Sequence, residues 1–318
     1  MPVEDIIISN SALLEAVGVV KPYIHNTPVI TSRMLNDLSG ASLFFKCENF
    51  QKAGAFKSRG AANAILHLPE EQRRLGVCTH SSGNHAAALA RMAKLLGVPG
   101  YIVMPENAPS VKIAAVKQYG GIIRFCKPTL EARESTLGEV KEETGAVEVH
   151  PYNNYHIIAG QSTACQELIS EYTDLDFVVA PVGGGGLLSG TALSAHYFGK
   201  KIHVIGAEPR GADDAFRSLQ AGYIIPSENP KTIADGLLTS LGSLTFPIIQ
   251  KYVDRIITVS EEGIVTAMKL IWERMKIVVE PSSAVAFAAV LENKELFLGM
   301  KTGIVLSGGN VDLSRLPW

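Results

Sequence analysis

One lysine of this 318-residue chain stands in a setting unlike that of an ordinary surface lysine. Lys57 lies within residues 54–61, GAFKSRGA, beside Phe56 and ahead of a helical pattern of mainly apolar and small residues. Most lysines stay solvated, because burying an ammonium group is costly. A desolvated lysine loses its proton more readily, as a residue that forms a Schiff base must. Lys57 is therefore a candidate Schiff-base lysine, and a solvated surface charge is the alternative.

A run of four glycines, Gly183, Gly184, Gly185 and Gly186, follows a predicted strand and opens a predicted helix. Without Cβ atoms, several backbone N–H groups can converge on one anion, and the helix N-terminus adds partial positive charge. None of the glycines starts a G-x-G-x-x-G dinucleotide fingerprint, and Gly190 is not followed by the lysine of a Walker loop. The context favours a phosphate-binding loop over a turn that serves packing alone.

Two further polar loops follow apolar strands. Residues 81–85, SSGNH, precede a predicted helix and could bind a carboxylate at its N-terminus. Taken alone, this loop is better explained by Ser81 or Ser82 as the helix N-cap and Gly83 as a turn residue. Residues 307–310, SGGN, taken alone are only a turn. Three such loops after three strands are typical of a cofactor cleft.

Short β-rich runs alternate with longer helical patterns and so position these loops. The predicted strands are 77–80, 101–104, 122–126, 146–150, 177–180, 204–207 and 303–306. Their uninterrupted apolar character suits parallel strands that are covered on both faces. We therefore expect an α/β protein with two doubly wound three-layer lobes and ligands at the carboxyl ends of the strands. The predicted large lobe comprises residues 1–75 and 153–318, and the small lobe residues 76–152.

The composition narrows the function classes. The 29 basic and 31 acidic side chains leave a formal charge of -2, which gives no general attraction to nucleic acid or anionic membranes. The four cysteines are widely spaced and form no C-x-x-C pair, as expected in a reducing compartment: Cys47, Cys78, Cys126 and Cys165. Residues 1–5 show no basic start of a secretory signal. We expect a cytoplasmic protein without a nucleic-acid or membrane partner.

The lysine stretch, residues 50–52 (FQK), the SSGNH loop, the glycine run and residues 307–312 (SGGNVD) together resemble the motifs of fold-type II pyridoxal-phosphate enzymes. The resemblance extends from end to end of the chain. It implies a tryptophan-synthase-β-like fold with pyridoxal 5'-phosphate in the cleft between the lobes. It is strongest to members that racemise serine and dehydrate serine or threonine, so a small hydroxy-amino acid is the implied substrate.

The implied activity is serine racemisation together with β-elimination of serine to pyruvate and ammonia. A dehydratase for L-threonine or threo-3-hydroxyaspartate with little racemisation is the alternative, and an aspartate racemase ranks lower. An alternative of another class is a ligand-binding protein that has this fold without catalytic activity. Such a protein would form no Schiff base.

The resemblance assigns roles position by position. Lys57 would carry the cofactor and act as the base on one face of the substrate α-carbon, with Ser82 as the second acid or base on the other face. Asn84 would meet the ring hydroxyl of the cofactor and Ser307 its pyridine nitrogen. The backbone of the four glycines and of Leu187 would hold the phosphate. A neutral Ser307 cannot keep the pyridine nitrogen protonated, which favours proton exchange and elimination over transamination.

Substrate and metal residues are implied in the same way. Ser81 and His85 would help to hold the substrate carboxylate, with Arg133 reaching over from the small lobe. Glu208, Asp214 and the carbonyl of Ala212 would bind Mg²⁺, Ca²⁺ or Mn²⁺ in a structural or activating site, since hard cations prefer oxygen ligands. A solvated acidic loop is the alternative for these residues. Glu280 would support the cofactor ring.

Some positions depart from the pattern of the family. Tyr152 stands where a mammalian relative has an asparagine near the substrate, which leaves the side-chain preference open. Ala53 and Ala87 replace polar residues that surround an activating nucleotide between subunits in that relative. The sequence therefore leaves ATP activation open. A homodimer is implied by the resemblance alone.

Overall fold

The chain folds into two sheets with helices on both sides of each. The computed structural model describes residues 8–108 and 110–318. The helices are α1 (Asn10–Val20), α2 (Arg33–Ser39), α3 (Lys57–Leu66), α4 (Glu70–Arg74), α5 (Asn84–Leu96), α6 (Ser110–Gln118), α7 (Leu130–Thr144), α8 (Tyr155–Glu171), α9 (Gly186–Phe198), α10 (Asp214–Ala221), α11 (Thr245–Tyr252), α12 (Glu261–Leu270), α13 (Pro281–Glu292) and α14 (Lys294–Phe297). The strands are β1 (Val29–Ile30), β2 (Ser42–Cys47), β3 (Val77–His80), β4 (Gly100–Pro105), β5 (Ile122–Cys126), β6 (Val147–Glu148), β7 (Phe177–Pro181), β8 (His203–Pro209), β9 (Arg255–Val259) and β10 (Lys301–Leu306).

The larger sheet has six strands in the order β1-β2-β10-β7-β8-β9. Of its strand pairs, β1–β2 is antiparallel and the others are parallel. Successive residues of β7 face different cores: Val179 packs with α12 and α13 on one side, whereas Val178 and Ala180 pack with α8 and α9 on the other. Helices that cover both faces explain why these strands are apolar throughout.

The smaller sheet has four parallel strands in the order β5-β4-β3-β6. Val77 and Ile102 face the core formed with α5, and Cys78 and Val103 face the core formed with α7. The predicted fold class is confirmed: the protein is an α/β protein with two mainly parallel sheets, each covered by helices on both faces. The strands of this sheet run from Val77 to Glu148, and the lobe boundaries near residues 75 and 152 stay a prediction.

Several elements differ from the sequence-based expectation. The strand predicted at 146–150 pairs only at Val147 and Glu148, and α5 begins at Asn84, two residues earlier than expected. β1, β2 and β9 were not predicted. No helix among the described residues is long and apolar enough to span a bilayer. The four cysteines are buried and free, whereas the expectation drawn from residues 1–5 concerns a segment outside the described range.

A buried ion network fixes the helix that begins at Lys57. Arg59 is inaccessible to solvent, and its Nε lies 2.6 Å from Oε2 of Glu48, which is also buried. Its Nη2 lies 2.7 Å from Oε2 of Glu167, and its Nη1 donates to Thr163 Oγ1 over 3.0 Å. The guanidinium thus joins α3 to α8 and to the turn after β2. The position of Lys57 is set by this network and not by a flexible loop.

Candidate active site

The lysine stretch lies directly against the polar turn that follows β10. Ala55 and Gly308 form an isolated antiparallel bridge. The Phe56 N–H donates to the Ser307 carbonyl over 3.0 Å, and the Gly309 N–H donates to the Gly54 carbonyl over 2.9 Å. These backbone bonds bring Lys57 and Ser307 into one site. The Ser307 hydroxyl forms no hydrogen bond with any described residue, so it is available to a ligand.

The Lys57 amine is desolvated. Its Nζ donates to the Pro151 carbonyl over 2.8 Å and lies 5.1 Å from the centre of the Phe56 ring. Burial lowers the pKa of this amine to about 8, although the nearby Glu280 carboxylate opposes the shift. A far larger fraction of Lys57 than of an ordinary solvated lysine is therefore uncharged near neutral pH, and an uncharged amine can attack a carbonyl.

The glycine run forms a cup of backbone donors. Within the described chain, the N–H groups of five consecutive buried residues donate to no acceptor: Gly183, Gly184, Gly185, Gly186 and Leu187. Buried N–H groups without a partner are rare in proteins, since each costs free energy. Gly185 caps α9 with φ of 88°, so the cup also lies at a helix N-terminus. This arrangement fits the phosphate of pyridoxal phosphate.

The glycines of the cup leave no room for a Cβ atom, because neighbouring side chains lie directly against them. A Cβ on Gly184 would lie 2.3 Å from Cδ1 of Tyr152, and one on Gly185 would lie 2.8 Å from Oγ1 of Thr245. Tyr152 also contacts Gly186, where an added Cβ would lie 3.1 Å from the Cβ of Tyr152. The glycines are thus required by the close approach of their neighbours as well as by the backbone conformation at Gly185.

The SSGNH loop opens α5 without a side-chain cap. Gly83 is the N-cap residue, so the alternative in which Ser81 or Ser82 caps the helix is wrong. The Ser81 hydroxyl instead accepts from the Gly83 N–H over 3.3 Å, and the Ser82 hydroxyl bonds to no described residue. The N–H groups of Asn84 and His85 also lack an acceptor within the described chain. The helix start can therefore bind a carboxylate.

A chain of hydrogen bonds orients Asn84. Its Nδ2 donates to Oε1 of Glu280 over 2.8 Å, and its Oδ1 accepts from Nδ2 of Asn310 over 2.9 Å. The same Asn310 group donates to the Ala53 carbonyl over 2.7 Å. Burial raises the pKa of Glu280 to about 8, so this carboxyl is largely protonated near neutral pH. The network joins the SSGNH loop to the lysine stretch and to the turn after β10.

His85 is buried and neutral. Its Nε2 donates to the Val149 carbonyl over 2.9 Å, and burial lowers its pKa to about 3. A carboxylate near the start of α5 would thus be held by the backbone N–H of His85 and not by a charged ring. Burial also lowers the pKa of His150 to about 4, and its Nδ1 accepts from the N–H groups of Tyr152 and Asn153.

Arg133, on α7 of the small sheet, has a buried Nε that finds no acceptor among the described residues. Burial lowers the pKa of His80, at the end of β3, and the neighbouring Arg133 charge lowers it further. Arg133 is therefore close to the residue that precedes the SSGNH loop. An unsatisfied buried guanidinium nitrogen is costly, and an anionic ligand would satisfy it.

The loop after β8 gathers two buried carboxylates. The Glu208 carboxylate accepts from the N–H groups of Ala215 and Phe216 over 2.9 and 2.8 Å, whereas both Asp214 oxygens are buried without a hydrogen-bond donor. Burial raises the pKa of Glu208 to about 8 and that of Asp214 to about 6. Two buried acids that form no salt bridge with a described residue fit a cation, and with the nearby, buried Ala212 they make an oxygen-rich set. The described residues hold no cluster of three His, Cys, Asp or Glu side chains.

The sequence did not indicate Pro151 or Thr245, and it did not indicate the contacts that Tyr152 and Asn310 make in the site. The Pro151 carbonyl binds the lysine, Asn310 binds Asn84, and Tyr152 and Thr245 pack against the glycine run. No local motif marks these contacts, because each joins positions far apart in the chain. The polar run around Asn310 indicated a loop of the cofactor cleft, and the position of Tyr152 indicated a residue near the substrate, but neither indicated these contacts.

Two parallel α/β sheets, a desolvated lysine and a backbone phosphate cup define a pyridoxal-phosphate enzyme of the type with the cofactor between two lobes. Comparison with known proteins agrees: the family model described as "Pyridoxal-phosphate dependent enzyme" matches residues 20–308. The chain belongs to this family, whose members here include racemases and ammonia-lyases of small amino acids.

Three relatives are particularly similar. The β-hydroxyaspartate dehydratase of Paracoccus denitrificans is 52% identical over 299 residues, which cover 94% of this chain and 95% of the relative. The serine racemase of Dictyostelium discoideum is 52% identical over 302 residues, covering 93% of each chain. The structure of maize serine racemase superposes with a TM-score of 0.94 at 48% identity, covering 96% of this chain and 94% of that one. A relative named as a dehydratase and relatives named as serine racemases are thus about equally similar to this chain.

Proposed function

We propose that this protein racemises serine and also eliminates water from it to give pyruvate and ammonia. One observation carries the proposal most directly: the Lys57 amine is desolvated, with its pKa lowered to about 8, and lies near the loop that carries Ser82. Lys57 contributes electrostatically to the pKa of His85, which lies three residues after Ser82. The similarity to serine racemases supports the same activity.

Groups from three loops would hold the cofactor. The unpartnered backbone N–H groups of the glycine run would bind its phosphate, the Ser307 hydroxyl would meet its pyridine nitrogen, and the Asn84 amide would meet its ring hydroxyl. Bound there, pyridoxal phosphate supplies the electron sink that makes the hydrogen on the substrate α-carbon acidic. Because the Asn84 amide is fixed by Glu280 and Asn310, it is oriented before any ligand arrives.

The proton transfers fall to two side chains. The uncharged Lys57 amine accepts the α-hydrogen from one face, and the Ser82 hydroxyl donates a proton to the other face, which inverts the centre. Loss of the substrate β-hydroxyl competes with this inversion, since both begin by removing the same hydrogen. The substrate carboxylate binds at the start of α5, where the N–H groups of Asn84 and His85 and the Ser81 hydroxyl are available.

A substrate panel tests this proposal. L-Serine, L-threonine and threo-3-hydroxyaspartate are each incubated with the holoenzyme, and both keto acid and D-enantiomer are quantified by chiral chromatography. We expect D-serine and pyruvate from L-serine. Keto acid formation without any D-serine would leave a dehydratase and overturn the racemase proposal.

The two-sided proton transfer is tested by Ser82→Ala. Removing a positioned acid or base typically costs about 10²- to 10⁴-fold, so D-serine formation should fall by that range. Pyruvate formation from L-serine should fall much less, because Lys57 alone removes the α-hydrogen. The exposed Ser135→Ala serves as the control and should change neither rate. Equal losses of both products in Ser82→Ala would show that Ser82 does not act on one face only.

A second candidate, dehydration of 3-hydroxyaspartate, is favoured by Arg133. Its buried, unpartnered Nε suits a second carboxylate, which serine lacks. In that case Arg133→Ala should lower kcat/KM for threo-3-hydroxyaspartate by about 10- to 100-fold, because a charged hydrogen bond is lost. The kcat/KM for serine should stay largely unchanged. The surface variant Arg124→Ala is the matched control. An equal loss with both substrates would remove this argument for a dicarboxylate.

We also propose that Glu208, Asp214 and the Ala212 carbonyl bind a divalent cation that stabilises the loop after β8. The support is that Glu208 and Asp214 are both buried and that neither forms a salt bridge with a described residue. A homodimer, a cytoplasmic location and any activation by ATP stay predictions from the sequence.

A further inference from the structure

The chain makes a specific contact where it returns from the small sheet to the large one. Asn153 follows β6 and precedes α8, and its Oδ1 accepts from the Leu244 N–H over 2.8 Å. Its Nδ2 donates to the Ser243 hydroxyl over 3.2 Å. The backbone of Asn153 is itself fixed, because its N–H donates to Nδ1 of His150 over 2.9 Å. One side chain thus holds the segment that leads into α11.

That segment ends at Thr245, which is buried beneath the glycine run. The Thr245 hydroxyl donates to the Gly184 carbonyl over 2.8 Å and accepts from the Gly242 N–H over 2.9 Å. The Gly184 carbonyl and the Gly185 N–H belong to one planar trans peptide, so they point in opposite directions. By fixing the carbonyl, Thr245 fixes the direction in which the Gly185 N–H faces the cup.

Glycine at 184 and 185 cannot hold this direction without help. Glycine has the widest range of backbone conformations, and the φ of 88° at Gly185 is only one of them. The Tyr152 ring covers Gly184, as shown by the 2.3 Å approach of a Cβ placed there. The peptide is thus confined by Tyr152 and by the hydroxyl of Thr245.

We propose that Asn153 and Thr245 are positioning residues for the cofactor phosphate, although neither donates to it. Asn153 holds the segment 243–244, this segment places the Thr245 hydroxyl, and the hydroxyl directs the Gly185 N–H at the phosphate. Retention of the cofactor then depends on a side chain at the junction with the small sheet. The proposal rests on the proposed role of the glycine run as the phosphate site.

A matched pair at Thr245 tests the last step. Thr245→Val keeps the shape and removes the hydroxyl, whereas Thr245→Ser keeps the hydroxyl. Apoprotein is titrated with pyridoxal phosphate and with pyridoxal, which lacks the phosphate, and binding is followed by absorbance. We expect the valine variant to bind pyridoxal phosphate about tenfold more weakly, the effect of one hydrogen bond, with its affinity for pyridoxal unchanged. The serine variant should bind both as the wild type does.

Asn153→Ala tests the first step, the hold of Asn153 on the segment 243–244. The side chain is partly exposed, so its removal should leave the fold intact. The variant should bind pyridoxal phosphate several-fold more weakly and pyridoxal as the wild type does. It should also increase amide hydrogen exchange at Thr245 and Phe246 of the apoprotein, whose N–H groups donate to the Gly242 carbonyl. Asn293→Ala, which removes a side chain that donates to the Ala289 carbonyl, is the control and should change none of these. An unchanged exchange rate at Thr245 and Phe246, or equal losses of affinity for both ligands, would overturn the proposal.

The same titrations separate this proposal from the one on which it rests. Wild-type protein that binds pyridoxal as tightly as pyridoxal phosphate would show that the glycine run does not hold the phosphate. Wild-type protein that prefers pyridoxal phosphate, with variants that keep the whole preference, would contradict only the positioning role of Asn153 and Thr245.

Discussion

The Nζ atom of Lys57 lies 2.8 Å from the carbonyl oxygen of Pro151, a residue 94 positions further along the chain. Pro151 follows β6, where the chain leaves the small sheet, whereas Lys57 opens α3, which packs between α5 of the small sheet and α8 of the large one. The amine therefore lies where the two sheets meet. Its low pKa depends on this enclosure, because burial and not a neighbouring cation causes the shift.

Capture of the cofactor should depend on pH through this amine. Below pH 8 the Lys57 amine is mostly protonated and cannot attack an aldehyde, and above pH 8 it is mostly free. The rate at which apoprotein forms the Schiff base should therefore rise with pH and level off above a midpoint of about 8. Stopped-flow absorbance with pyridoxal phosphate measures it. A midpoint near the ordinary lysine value of 10.5 would show that the amine is solvated.

The glycine at 184 should be essential for the cofactor. In Gly184→Ala the new Cβ would lie 2.3 Å from the Tyr152 ring, so the ring or the cup must move. We expect at least a roughly tenfold loss of affinity for pyridoxal phosphate, equivalent to about 1.4 kcal/mol. Gly138→Ala is the matched control, since nothing lies within 4 Å of a Cβ on this helical glycine. Wild-type affinity in Gly184→Ala would contradict the geometry of the cup.

The ion network under the lysine should be important for stability. Arg59→Met leaves the buried Glu48 carboxylate without its cation, and breaking a buried pair in this way costs about 3–5 kcal/mol. Urea denaturation of the apoprotein measures the change. Arg74→Ala, which breaks only an exposed pair with Glu70, should stay within about 0.5 kcal/mol of wild type. Similar losses in both variants would mean that burial of the network contributes little.

Local patterns predicted those strands that are short β-rich runs and end at a glycine or a polar turn. β3 and β5 have the predicted bounds, because each is a short β-rich run that stands between two helical patterns. β2 was missed: it contains Lys46, which is buried only because Glu167 lies 2.6 Å from its amine. A charged residue in a strand conceals burial until its distant partner is known.

The site was predictable as motifs and not as contacts. The sequence indicates that Lys57 and the glycine run carry the chemistry, since these residue types are costly or unusual in those settings. It does not show that the Pro151 carbonyl meets the amine or that Thr245 meets Gly184. These contacts depend on the relative position of the two sheets, which no local pattern encodes.

Occupation of the acidic loop should be visible in thermal stability. Mg²⁺ added to chelator-treated protein should raise the Tm, because a ligand that binds only the folded state stabilises it. Asp214→Ala removes a buried carboxylate and should abolish this increase. Asp213→Ala, whose side chain bonds to the half-exposed Arg217, should retain it. The same increase in all three proteins would place the cation elsewhere.

The covalent role of Lys57 is tested most directly by trapping the cofactor. Purified protein incubated with pyridoxal phosphate is reduced with borohydride, digested and analysed by mass spectrometry. We expect a yellow holoenzyme before reduction and a single modified peptide that contains Lys57, both absent in Lys57→Ala. A colourless protein, or a label spread over other lysines and unchanged in Lys57→Ala, would contradict this role of Lys57.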